Sequence, residues 1–292
     1  MGVNSDGNVH DPERRESKPS QGDPSRSVRD LFRLEGRTIV ITGAHGFLGT
    51  TLAMAILESG GDVVCLDLPE SPTAENWQDV ETAAETHGGR LSYWSLDVTS
   101  ETMVAEGFAK FMPTLRFPLR GLVVCAGISR NGPAIEFPIS TIRHMLDVNV
   151  SGAFLAAQAA AREMRKSDVS GSIVLVASMS GYVSNKGVDT AGYNASKAAV
   201  QQLARSLAAE WGSRKGMPLI RVNSLSPGYI RTAATAEALQ RPGIEAQWVG
   251  DNMLYRLSTP DEFRAPVLFM LGDGSSFMTG SDLRVDGGHC AW

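Results

Sequence analysis

Short, almost uninterrupted apolar runs recur along the chain, each followed by a longer stretch with helical spacing. This alternation constrains the fold more than any other feature. The runs fall at 38–41, 63–66, 91–96, 122–126, 173–177, 220–225 and, more briefly, 283–285. A strand that is apolar at consecutive positions must be covered on both faces, the situation of parallel strands sandwiched by helices. Between the runs the spacing predicts helices over 48–59, 80–87, 101–112, 140–165, 193–212 and 260–271. In the 193–212 segment, Val200, Leu203, Ala204, Leu207, Ala208 and Trp211 recur at three- and four-residue steps, the stripe of a helix laid on a sheet. Strands alternating with helices imply an α/β fold, a doubly wound parallel sheet of Rossmann type with right-handed crossovers.

Length alone would allow one domain or two, since the chain has 292 residues. The pattern runs from residue 31 to 292 without a second domain or an internal repeat. With 42% hydrophobic and 20% charged residues the chain can bury a sizeable core. Residues 1–30 hold too few large apolar side chains to offset the entropy of ordering, and predict a flexible tail. The net charge of −5 and the absence of a basic block argue against nucleic acid as a partner. No apolar stretch approaches the roughly 20 residues that span a bilayer. The N-terminal region lacks the apolar core of a secretory signal and mixes Arg14, Arg15 and Arg26 with Asp11, Glu13, Glu16 and Asp23, so a cytoplasmic location is expected. Cys65, Cys125 and Cys290 are an odd number without close pairing, which points to reduced, structural thiols. No metal site is expected.

The first apolar run leads straight into Thr42-Gly43-Ala44-His45-Gly46-Phe47-Leu48-Gly49. Glycines at a strand-to-helix turn let the backbone approach a pyrophosphate, and free amides at the helix start attract it. Asp67 ends the second run, 24 residues after Gly43, where a carboxylate can accept hydrogen bonds from ribose hydroxyls. Leu68-Pro69-Glu70 offers no cation to a 2′-phosphate, so NAD is favoured, with NADP as the alternative.

Tyr193 and Lys197 stand four apart at the start of the strongest helix, and an ammonium beside a phenol favours the phenolate. A second Tyr-x-x-x-Lys, Tyr182 to Lys186, lies in a stretch that reads as loop. Ser178 follows the fifth run at a strand's carboxyl end, the ligand-binding edge of such sheets, with Ser180 as its neighbouring candidate. Asn149 falls on the apolar face of the 140–165 helix, where an amide has poor propensity and must find partners. It either holds a backbone kink or orders a water near the reacting groups, and the two roles are compatible.

These residues, together with Asp97-Val98, Ala126-Gly127, Pro227-Gly228 with Thr232, and Thr279-Gly280…Asp286-Gly287-Gly288, resemble the short-chain dehydrogenase/reductase family. The resemblance spans about residues 34–288. It implies that Tyr193 exchanges the hydroxyl proton, Ser178 polarises the oxygen, Lys197 binds the nicotinamide ribose and lowers the Tyr193 pKa, and Asn149 orders a water on the proton path. It places Gly43, His45, Gly46, Phe47, Leu48, Asp67, Ala126, Gly127, Pro227, Gly228 and Ile230 against the cofactor, Asp97 and Val98 by the adenine, and Thr232 on the carboxamide. Phe47 stands where single-domain members carry the middle glycine, although Gly46 and Gly49 keep the spacing of extended members. Cys125 replaces an asparagine that normally braces the sheet.

Leu31 to Arg37 and Ser178 to Gly181 look like the fungal polyol and ketose reductases, and also like tailoring ketoreductases of secondary metabolism. The expected activity is the interconversion of a secondary alcohol and a ketone on a small molecule. A non-redox isomerase or an idle scaffold on the same fold are the rival readings. Ser129, Ser180, Tyr182 and Tyr229 are the candidate substrate contacts. Residues 229–255 have no clear periodicity and are expected to form a lid. A homo-oligomer, dimer or tetramer, follows from the resemblance.

Overall fold

Each apolar run becomes a strand, and all seven lie parallel in one sheet. In this computed structural model, which describes residues 2–3, 9–10, 25–212 and 214–292, the strands are β1 (Thr38–Thr42), β2 (Asp62–Asp67), β3 (Leu91–Ser95), β4 (Leu119–Val124), β5 (Gly171–Val176), β6 (Ile220–Pro227) and β7 (Asp282–Val285). Their order across the sheet is β3-β2-β1-β4-β5-β6-β7. The chain winds outward from β1 to β3, returns to β4 and then winds the other way. The carboxyl ends of β1 and β4 therefore diverge at a topological switch point, where such sheets hold their ligands. All five residues of β1 and all eight of β6 are buried, which is why these runs are continuous rather than alternating.

Nine α-helices flank the sheet among the described residues: α1 (Phe47–Glu58), α2 (Trp77–His87), α3 (Glu101–Phe111), α4 (Ile139–Leu146), α5 (Ala153–Lys166), α6 (Ala191–Trp211), α7 (Ala233–Leu239), α8 (Ile244–Gly250) and α9 (Arg264–Leu271). On one face Leu52, Ile56 and Leu57 of α1 meet Val267 and Met270 of α9 over the inner strands. On the other, Ala156, Ala157 and Ala160 of α5 pack among Phe108 and Phe111 of α3 and Val200 and Ala204 of α6. Small side chains on α5 let three helices share that face closely.

Two expected helices are interrupted. The 140–165 helix is split into α4 and α5 by a π turn over Asp147–Gly152, with Asn149 at its centre. The 260–271 segment begins with a 3-10 turn, Pro260–Phe263, started by a reciprocal cap between Thr259 and Glu262, before α9 follows. The aperiodic stretch expected to form a lid contains α7 and α8. Most of the expected N-terminal tail lies outside the described residues. Within it, Gly2–Val3 pairs with Val9–His10, Arg29–Phe32 form a 3-10 turn, and Arg26 binds Asp273 at 2.5 Å.

Candidate active site

The loop after β1 is built by crowding. Gly43 has φ +68°, and a Cβ on it would lie 2.5 Å from the Ala126 nitrogen. One on Gly49 would lie 2.3 Å from the Gly43 carbonyl oxygen. At Gly46, by contrast, an added Cβ meets nothing closer than 3.4 Å. Phe47 opens α1 with 42% of its surface exposed, and no side chain caps the helix start, so its first amides are available to an anion. Asp67 closes the loop from the side: Oδ2 accepts from the His45 amide at 2.9 Å, and Oδ1 from the Leu68 amide at 2.8 Å. His45 Nε2 in turn accepts from the Thr73 amide at 3.1 Å, which places the ring proton on Nδ1.

Helix α6 carries Tyr193 and Lys197 one turn apart. The Lys197 amine donates to the Val176 carbonyl at 2.8 Å and lies 5.7 Å from the Tyr193 ring centroid. Burial lowers its pKa to about 8. Burial also pushes the Tyr193 phenol above its ordinary value, and a hydrogen bond with Ser178 draws it partway back. In the protein as it stands, desolvation sets the direction, opposite to the lowering expected from the neighbouring ammonium. A Cβ on Gly127 would fall 3.3 Å from both Lys197 Nζ and Asn149 Oδ1, a tight contact that those two side chains would have to ease.

Ser178 sits in extended backbone just beyond β5 and caps the 3-10 turn Met179–Gly181, its Oγ accepting from the Ser180 amide at 3.1 Å. Its carbonyl accepts from Gln201 Nε2 at 3.1 Å; the same nitrogen donates to Ser226 Oγ at 3.0 Å, and Ser226 donates to Asp282 at 2.8 Å. A buried chain thus runs from the edge strand β7 to the turn that carries Ser178. Sequence reasoning missed Gln201, although an amide among Val200, Ala204 and Ala208 is the same signal that singled out Asn149. The Asn149 side chain accepts from the Ile128 amide at 2.8 Å and donates to the Ile128 carbonyl and to Ser196 Oγ, both at 2.9 Å. Its kink-holding role has a structural counterpart, while its side chain is occupied away from the cleft.

A cleft of about 690 Å³ opens at the carboxyl ends of β1, β4, β5 and β6. The phosphate-loop candidates Gly43, His45, Gly46, Phe47 and Leu48 line one end. Gly127, Ser178, Ser180, Tyr193 and Lys197 line the middle. Ser129, Pro227, Gly228, Tyr229, Ile230 and Thr232 complete the expected set on its wall. Other candidates do not line it. Asp67 stands behind His45; Asp97 is engaged by the Thr99 amide and hydroxyl, each at 2.8 Å; Val98 packs on Gly152; Ala126 backs Gly43. Tyr182 departs from expectation: the 3-10 turn carries it outward, where it is 47% exposed and donates to Asp282 at 3.0 Å. Thr73, Asn76, Asn185 and Thr190 line the cleft without having been singled out, because they lie in loops or at helix starts with no periodic signal. Cys125 also lines it, its thiol pushed up to about 12 by burial and so protonated, and all three cysteines are unpaired. Lys197 is the only Lys or Arg among the described lining residues.

A family model described as enoyl-(acyl carrier protein) reductase matches residues 43–289. The short chain dehydrogenases/reductase notP' of Aspergillus versicolor is 74% identical over 292 residues, covering 100% of both chains. A D-arabinitol 2-dehydrogenase (ribulose-forming) of Candida tropicalis is 34% identical over 271 residues, 89% of this chain and 95% of that one. Among solved structures, an NADPH-dependent 3-quinuclidinone reductase from Rhodotorula rubra superposes with a TM-score of 0.84 at 29% identity, over 94% of this chain and 98% of its own.

Proposed function

Because the chain belongs to the short-chain dehydrogenase/reductase family, we propose that it interconverts a secondary alcohol and a ketone with a nicotinamide dinucleotide. The observation that carries this reading is the meeting of Ser178, Tyr193 and Lys197 in the same cleft as the crowded Gly43–Gly49 loop. The cleft suits such a cofactor: a tight glycine turn, uncapped helix amides and a carboxylate 22 residues beyond His45 form a cradle for a pyrophosphate and its ribose. When bound, the nicotinamide supplies or takes the hydride.

The chain's own residues handle the proton. With its pKa raised, Tyr193 holds its proton at neutral pH and can give it to the oxygen of a ketone being reduced. Ser178 Oγ, which accepts from Ser180 and pairs with Tyr193, can turn its proton to that same oxygen once a ketone is bound. Lys197, with a pKa of about 8, is charged at neutral pH, and its remaining donors are available to a ribose hydroxyl. Asn149 holds the Ile128 backbone beside them.

Asp67 and the shortage of cations on the cleft wall support NAD, whereas the quinuclidinone reductase is named for NADPH. Fluorescence titration with NADH and NADPH decides between them, and Asp67→Ser should weaken NADH and admit NADPH. An unmoved preference would remove Asp67 from the ribose site. An isomerase would turn over substrate without net change in NADH, and an idle scaffold would turn over nothing.

For the substrate, the arabinitol dehydrogenase supports a polyol or ketose, while the cleft wall favours the bulkier molecules of a tailoring ketoreductase. The segment 229–255 serves as a lid over this end; hydrogen exchange that is equal with and without NAD would refute that. Exposed Ile139, Leu146 and Phe154 along α4 and α5 support a homo-oligomer, dimer or tetramer, which sedimentation checks. Among the described residues no helix is long and apolar enough to cross a membrane, which fits a cytoplasmic enzyme.

A further inference from the structure

Resting on the oxidoreductase reading, we infer that the substrate has a largely apolar body with a hydrogen-bond acceptor set apart from the reacting carbonyl, and is not a chain of hydroxyls. Around Ser178 and Tyr193 the cleft is walled by Ile128, Met179, Val188, Tyr229, Ala238 and Trp248. Tyr229 and Trp248 lie face to face, 3.8 Å between ring centroids and 5° between planes. Neighbours hold this double ring in place. The Tyr229 hydroxyl accepts from Asn185 Nδ2 at 3.0 Å, His289 packs edge-on against the Tyr229 ring at 5.4 Å, and Trp248 is only 4% exposed. An apolar body matches such a wall without reorganising it.

Several polar groups at this end are already committed to one another. Asn185 donates to Tyr229 and accepts from Thr190 Oγ1 at 3.0 Å, and Ser129 Oγ donates to Asn131 at 3.2 Å. A polyol brought here would bury hydroxyls against Ile128, Met179, Val188 and Ala238, which offer them no partner. One buried donor is left over. Trp248 Nε1 is buried and has no hydrogen-bond partner among the described residues. Buried N–H groups are rarely left unsatisfied in the working state of a protein, and this one belongs to a residue that lines the cleft. A ring oxygen or second carbonyl on the substrate would satisfy it, and would fix which way round the molecule lies.

The test uses the full chain with NADH and two matched pairs of bicyclic ketones, 4-chromanone with 1-tetralone and 3-chromanone with 2-tetralone, alongside D-ribulose and L-sorbose. The members of each pair differ only in a ring oxygen. The expected result is a kcat/KM for the bicyclic ketones about 100-fold above that for the sugars. Within at least one pair the ring oxygen should give an advantage of about tenfold, the worth of one hydrogen bond. Trp248→Phe keeps an aromatic ring but removes the N–H, and should collapse that ratio to near one whatever it does to the absolute rates. Preference for the sugars overturns the inference and leaves the oxidoreductase reading standing. A ring-oxygen ratio unchanged in Trp248→Phe overturns the assignment of Trp248. No turnover of any compound, despite bound NADH, overturns both.

Discussion

Two segments leave the carboxyl ends of strands to form the cleft, and they are built in opposite ways. The loop after β1 is locked by backbone-on-backbone contact at Gly43 and Gly49, tied through His45 to Asp67 and Thr73, and continued by a helix whose Leu52, Ile56 and Leu57 are fully buried. The segment after β6 rests on a small cluster of its own, Ile244, Trp248 and Leu257. Beyond that cluster it is pinned by polar contacts: Gln247 to the Lys186 carbonyl, Trp292 to the Asp251 carbonyl, and an ion pair between Arg231 and Glu245. Few buried apolar contacts and mostly exposed polar ones mean a low free energy of local opening. The difference separates two tasks. On the proposed reading, a cofactor of constant shape would be met by a surface that cannot yield, and a substrate that must enter and leave by one that can.

The largest expected effect falls on the seam between the two segments. Tyr193→Phe removes the proton donor and should lower kcat by roughly 10²–10⁴-fold while NADH affinity stays near wild type; turnover within about tenfold of wild type would refute the acid role. Lys197 sets function against folding at the same seam. Its pKa falls from 10.5 in the unfolded chain to about 8 on burial, so the unfolded state binds the proton more tightly. The residue therefore destabilises the fold by about 3 kcal/mol below pH 8, and that penalty fades as the pH rises towards 10.5. Lys197→Met should melt at a higher temperature than wild type at pH 7, with the gap closing by pH 10, and should lose activity throughout. Thermal melts at the two pH values check the sign.

Paired glycine substitutions sharpen the contrast directly. Gly49→Ala drives a Cβ to within 2.3 Å of the Gly43 oxygen, and should cost about 1–3 kcal/mol and the NADH site with it. Gly250→Ala, at the end of α8, meets nothing within 4 Å, and should be neutral or stabilising by up to about 1 kcal/mol. Urea titrations of both variants measure the difference. Equal costs would mean that the two segments are equally rigid.

The same contrast explains what could be read from the sequence. The strands and the phosphate loop were legible because each is a local pattern: consecutive apolar positions, or glycines at fixed spacing. That Tyr193, Lys197 and Ser178 share one cleft was legible because a helix start and a strand end place them. Asn149 was conspicuous as an amide on an apolar face, yet nothing in its neighbourhood announced the π turn that holds it. Helices α7 and α8 were hidden because Ile244 and Trp248 pack on Val188, Tyr229 and Leu257, from distant parts of the chain, and leave no repeat. Tyr182 was misplaced because closeness in sequence to Ser178 says nothing of the turn between them.

The π turn at Asp147–Gly152 carries one residue more than the α turn it replaces. Each residue of an α-helix advances the phase by about 100°, so α4 and α5 are a quarter-turn out of step with a continuous rod. Deleting one residue within 147–152 would mend the hydrogen-bond ladder and yield a more regular helix. It would also swing Asn149 off Ile128 and carry Gly152 away from Val98. At this point the protein is spelled with an extra letter, and removing it would improve the grammar while losing the meaning.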